Sequence, residues 1–101
     1  MPDDMEFYKE MVGIYRRAKE EVNYTATRFI QMVAERGGVE TAKILVNANT
    51  PSDGYTELWQ RNRLDLTVEA LMIKEEWSSL FTPQELERAR ARLEEYGYVL
   101  P

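Results

Sequence analysis

The segment from Thr82 to Tyr98 carries a helix with both ends written into it. Thr82 has a hydroxyl of the kind that caps the first free amides, and Pro83 fits the first helical position. Glu85 lies three residues after Thr82 and completes a reciprocal capping box. Leu86, Ala89, Leu93 and Tyr96 then recur at helical intervals, so they share one face. Gly97 is the residue type that most readily turns left-handed and stops a helix, and Tyr98 is then expected to fold back towards Leu93. An element so fully specified implies a packed helical domain with an ordered C-terminus.

The same periodicity runs upstream. Tyr8, Met11 or Val12, Tyr15, Ala18 and Val22 recur with charged residues between them, which predicts an amphipathic helix from Glu6 to about Glu21. Asp3, Asp4 and Glu6 suit its positive N-terminal end. The pattern weakens at Asn23-Tyr24-Thr25, where Asn23 or Thr25 is expected to cap a second helix. A break is favoured there because an unbroken helix of roughly thirty residues would overhang so small a domain. Phe29, Ile30 and Val33 carry the second stripe to Gly37-Gly38, a pair that ends it and turns the chain.

A shorter helix is expected from about Val39 to Ala48, with Val39, Ala42, Leu45 and Val46 inward. Asn47, Asn49, Thr50, Pro51 and Ser52 read as a loop, and Ser52 as the cap of a short helix carrying Tyr55, Leu58 and Trp59. Asp65 is expected to cap the next helix, with Leu66, Val68, Ala70, Leu71 and Ile73 buried. The fold expected is therefore all-α, a compact orthogonal bundle of five or six short helices in a single domain over residues 1–101. Tyr8, Tyr15, Tyr24, Phe29, Trp59, Trp77, Phe81 and Tyr96 are its expected core aromatics, and the final helix is expected to cross the N-terminal one.

Composition narrows the chemistry. A hydrophobic fraction of 44% with 31% charged residues is that of a globular domain rather than a disordered adaptor. Cysteine and histidine are both absent, which removes disulfides, thiolate or imidazole metal sites and Cys–His or Ser–His catalysis. No cofactor is expected. The acidic start Met1-Pro2-Asp3-Asp4 is unlike a secretory signal, and no apolar run reaches membrane-spanning length. A soluble, cytoplasmic protein with no membrane partner is expected. The net charge of −5 disfavours nucleic acid as a partner.

The densest mixture of polar and apolar groups runs from Gly54 to Glu69. Asp65 and Glu69 are four residues apart and could pair as carboxylates on one helical face, with Arg61 or Arg63 holding an anion. The structural reading is stronger: Asp65 as a helix cap and Glu69 facing solvent or paired with a nearby arginine. Arg88 and Arg92, one turn apart, are candidate phosphate contacts, as are Arg16, Arg17 and Lys19. Interleaved glutamates make a solvated face the simpler account. The two helices around Gly37-Gly38 admit a helix-turn-helix reading, but Glu40, Thr41, Lys43, Asn47 and Asn49 are a thin set for reading bases. The glycine pair lacks the lysine and serine of a phosphate loop.

Several segments resemble those of a small bacterial helical family of unknown function. They are Arg28 to Val33, Gly37 to Ala42, Ser52 to Trp59, Arg63 to Leu71, and Leu80-Phe81-Thr82 with Ala89 to Tyr98. The resemblance covers nearly the whole chain and implies a prokaryotic soluble protein, occurring alone or attached to other domains. It implies no activity, substrate or cofactor.

The function expected is contact with another protein, as a homodimer or accessory module, with exposed aromatics such as Tyr24, Tyr55, Trp59 or Tyr98 forming the patch. The alternative is nucleic-acid binding through the arginine clusters, and a small hydrolase using Asp65 and Glu69 comes third. The residues singled out for interaction or anion binding are Tyr55, Trp59, Arg61, Arg63, Arg88 and Arg92.

Overall fold

The computed structural model describes residues 4–100, so Asp3, Pro101 and the first two residues of the N-terminal reading lie outside the described residues. The chain order is α1 (Asp4–Val22), α2 (Thr27–Arg36), α3 (Gly38–Asn47), α4 (Asp53–Gln60), α5 (Val68–Met72) and α6 (Pro83–Glu95). Single 3-10 turns at Leu64–Leu66 and Ser78–Leu80 flank α5, and no strand occurs among the described residues. The all-α bundle holds.

Local signals account for most boundaries. The Ser52 hydroxyl accepts the Tyr55 N–H at 3.1 Å and starts α4. Thr82 and Glu85 exchange both capping-box bonds, at 3.0 and 3.1 Å, with Pro83 at the first helical position of α6. At the other end Gly97 takes φ 85°, and the Tyr98 N–H reaches the Leu93 carbonyl at 2.9 Å. The Gly97 N–H bonds the Glu94 carbonyl at 3.0 Å, completing a Schellman motif. The helix break near residue 23 is also present, with Asn23 left-handed at φ 58°. Neither Asn23 nor Thr25 caps α2, however; its cap position is Ala26, with no side-chain hydrogen bond.

α3 is the hub, lying against α1, α2, α5 and α6. Its approach to α1 depends on Gly38. A Cβ there would sit 3.1 Å from the Tyr8 Cα and 3.2 Å from the Phe7 ring, so the helices meet backbone to backbone. The adjacent Gly37, at φ 86° and ψ 169°, occupies a region that is essentially glycine's alone.

The core corrects the phase expected for α1. Phe7, Met11, Ile14 and Ala18 are buried, whereas Tyr8 and Tyr15 are only half-buried. Met11 and Ala18 are inside as expected; the difference is that Phe7 and Ile14 stand where Tyr8 and Tyr15 were expected. Fully apolar Phe7 and Ile14 take the interior, while each tyrosine stays partly exposed. Phe7 meets Trp77 and Phe81 edge-on, with ring centroids 5.7 and 5.4 Å apart. Trp59, expected in the core, is at the surface.

Two further expectations are overturned. α6 packs against α5 and α3 rather than across α1, with Leu93 buried beside Leu64, Ala70 and Tyr55. Asp65 does not cap α5. Thr67 does, accepting the Ala70 N–H at 3.2 Å while its hydroxyl donates to the Leu64 carbonyl at 2.7 Å. Asp65 sits exposed within the preceding turn.

Candidate functional site

The C-terminal end of α3 presents carbonyls that no helical amide satisfies. Arg88 and Arg92, one turn apart on α6, supply the missing donors. Arg88 Nε donates to the Val46 carbonyl at 3.0 Å, and its Nη2 to those of Asn47 and Ala48 at 3.3 and 3.1 Å. Arg92 reaches the Leu45 carbonyl at 3.2 Å and the Ala48 carbonyl at 2.8 Å. Positive groups at the negative end of a helix dipole are favourable in their own right. Both candidates for phosphate contact therefore engage backbone carbonyls of the protein, Arg92 from a buried position and Arg88 from an exposed one.

Arg92 also donates to Glu69 Oε2 at 2.9 Å, with both side chains more than nine-tenths buried. Glu69 thus pairs with an arginine, as one of its two expected settings had it, but from a buried position and with a residue of α6. A guanidinium across the fold makes its burial tolerable. Burial pushes the Glu69 carboxyl above its ordinary value, and the Arg92 hydrogen bond opposes that shift. Tyr55 is buried beside the pair and donates its hydroxyl to the Arg92 carbonyl at 3.0 Å. Burial, reinforced by the Glu69 charge, raises its phenol well above the ordinary value.

Glu69 lines a cleft of about 500 Å³. One wall comes from Ile14, Tyr15 and Ala18 of α1, with Phe29 and Met32 of α2. Tyr55 and Leu58 of α4, Leu45 of α3 and Leu66 to Glu69 also line it. Tyr24, Arg28, Asp53 and Ala48 stand around it. Tyr15, Ala18, Phe29, Leu45 and Leu58 were legible as apolar-face positions and Ile14 and Met32 were not, and nothing local marked any of them as bordering open space.

A second feature lies at the end of the molecule where α4 meets the C-terminal tail. Tyr55, Tyr96 and Trp59 form a chain of edge-on contacts, with centroids 5.2 and 5.3 Å apart, running from the core to the surface. Trp59 is 44% exposed and Val99 87%. Together with Tyr96, Tyr98 and Leu64 they border a recess of about 210 Å³, to which Asn62 and Asp65 add polar atoms.

Arg61 and Arg63 are structural ties nearby. Arg61 donates to the Val22 carbonyl at 2.7 Å, closing the end of α1, and its guanidinium lies 5.5 Å from the Tyr24 ring centre. Arg63 grips both oxygens of Asp65 at 3.0 and 3.1 Å and reaches Glu21 at 2.7 Å. Among the described residues no group of three or more acidic side chains is arranged to hold a metal ion. Nor is any of their helices long and apolar enough to cross a membrane. Comparison with protein-family models, with curated proteins and with solved structures yields no match.

Proposed function

We propose that this protein is a contact module that works by binding another protein chain, a second copy of itself in the simplest case. The observation that carries this reading is the exposed Trp59, braced edge-on against Tyr96 beside Tyr98 and Val99. Tryptophan and tyrosine are the residue types most enriched where binding energy concentrates, and they do best beside a recess that accepts a partner's side chain. Tyr96, itself edge-on to buried Tyr55, backs Trp59, so less side-chain freedom remains to be lost on contact. The cysteine-free chain supports a reducing, cytoplasmic setting.

The competing nucleic-acid reading rests on Arg88 and Arg92, whose donors are engaged by α3 carbonyls and Glu69. The contact reading needs no such rearrangement. Sedimentation equilibrium of the full chain tests it: a concentration-dependent dimer is expected, and Trp59→Ala should weaken it by roughly thirtyfold, as for an interfacial anchor. The monomer should keep its helical circular dichroism spectrum. A strict monomer at the highest attainable concentration removes the self-association form. A dimer indifferent to Trp59→Ala removes the aromatic face.

A further inference from the structure

The cleft of about 500 Å³ lies apart from the Trp59 recess, and the contact described above leaves it unused. Tyr15 of α1, Phe29 and Met32 of α2 and Leu45 of α3 all border it, and each is only half-buried. Phe29 and Met32 stand three residues apart on α2, so they share one face. Apolar side chains from three helices thus leave a concave surface open to water, the setting in which soluble proteins most often hold a ligand.

α4 is not free to close that space. Tyr55 near its start donates to the Arg92 carbonyl at 3.0 Å, and Arg61 at its end donates to the Val22 carbonyl at 2.7 Å. Between them, Leu58 is packed with Ala18 and Leu66. Three anchors along one short helix fix its place, so the cleft belongs to the folded structure and is formed before anything enters it.

The charges around the cleft give a ligand no net sign to match. Arg28 and Asp53 border it with opposite charges, and both are exposed. Glu69 also borders it, but its carboxylate is buried and answered by Arg92 at 2.9 Å. An ion entering the apolar part would lose its hydration without gaining a free counter-charge, whereas a neutral molecule loses little. Uncharged hydroxyls are at hand on Thr27 and Thr50, both exposed on the lining.

We propose that the cleft binds a small neutral molecule with an aromatic or aliphatic body and one uncharged polar group. The body fills the space against Tyr15, Phe29, Met32 and Leu45, and the polar group stays at the exposed side with Thr27 and Thr50. Volume sets the size, the half-buried apolar lining sets the body, and the balanced charges select against an ionic head.

Nuclear magnetic resonance titration of the full isotope-labelled chain tests this with three ligands of matched shape: tryptophol, tryptamine and indolepropionate. Neutral tryptophol should bind most tightly, with the cation and the anion each weaker by about tenfold, because neither meets a free counter-charge. Intermolecular nuclear Overhauser contacts should join the tryptophol ring to Phe29 and Met32. Phe29→Ala should weaken tryptophol by about tenfold while the helical circular dichroism spectrum is kept. Trp59→Ala should leave tryptophol binding unchanged, which separates this site from the aromatic contact face. A charged ligand that equals or exceeds tryptophol would overturn the proposal. Ring contacts at Trp59 instead of Phe29 and Met32, unchanged binding by Phe29→Ala, or no response to tryptophol would do the same. Shifts at Phe29 and Met32 that follow protein concentration alone would give the cleft to a second copy of the chain, and would overturn it too. If Phe29→Ala does not fold, the ligand series and the ring contacts still decide the matter.

Discussion

Glu69 and Arg92 meet at 2.9 Å in the interior, 23 residues apart in sequence, and each explains why the other can be buried. The pair joins α5 to α6. Through the other guanidinium donors it also joins both to the end of α3. One side chain thus satisfies a buried acid and the Leu45 carbonyl, and shares the Ala48 carbonyl with Arg88.

Removing that side chain should be severe. Arg92→Ala strands a buried carboxylate and takes the side-chain donor from the Leu45 carbonyl, and is expected to cost about 3–5 kcal/mol in urea unfolding. Arg92→Lys should fall short of full stability, because one ammonium cannot reproduce the planar fork. Changing Glu69 and Arg92 together to methionine should recover much of the loss, as no charge is then left unpaired. A loss below about 0.5 kcal/mol for Arg92→Ala would be incompatible with the burial described.

Glu85 gives stability an acid dependence. Burial alone would raise its carboxyl, but the Lys43 ammonium, the Thr82 N–H and the Asn47 amide together lower it from 4.5 to about 2. A carboxyl depressed on folding contributes stability that is fully present above its ordinary value and is lost as pH falls towards the folded one. The stability difference between the parent chain and Glu85→Gln should therefore shrink between pH 4.5 and about 2. Glu69 is shifted upward and works with the opposite sign, but it is common to both proteins and cancels in the difference. Chemical unfolding at stepped pH measures this, and a constant difference across the window would contradict it.

Leu93→Ala tests the seam of α6 with α5. The side chain is fully buried against Leu64 and Ala70, so truncation should cost about 2–5 kcal/mol. A change within about 0.5 kcal/mol would displace Leu93 from that seam.

At Gly38 two local rules oppose each other. Alanine is the better helix former by about 1 kcal/mol, yet its Cβ would stand 3.1 Å from the Tyr8 Cα. Backbone cannot swing aside as a side chain does, so Gly38→Ala should destabilise by roughly 1–3 kcal/mol. A thermal melt at or above the parent value would show that α1 and α3 are free to separate.

The signals that proved legible were those whose partners lie within one turn. Thr82, Pro83 and Glu85 start α6, Gly97 stops it and Ser52 starts α4, because the bonds involved span only a few residues of chain. The α1 stripe was legible at Met11 and Ala18 but not at its ends, since Phe7 and Tyr8 are adjacent large aromatics and either fits the helical period. Thr67 and Asp65 were both competent caps, and the tight turn at Leu64–Leu66 selected the nearer one. Glu69 did carry a faint signal, a lone acid within the apolar run Val68 to Met72, and Arg92 shares the buried face of Ala89 and Leu93.

By itself, then, the sequence determined an all-helical chain, its principal breaks and the capped ends of α4 and α6, through bonds that close locally whatever the rest of the molecule does. Only the tertiary structure decided which arginines face inward, that Glu69 is buried against Arg92, that Trp59 remains at the surface, and that a cleft opens between α1 and α4. Those outcomes depend on residues brought together from distant positions. Burial, ion pairing and empty space belong to that meeting and to no single segment.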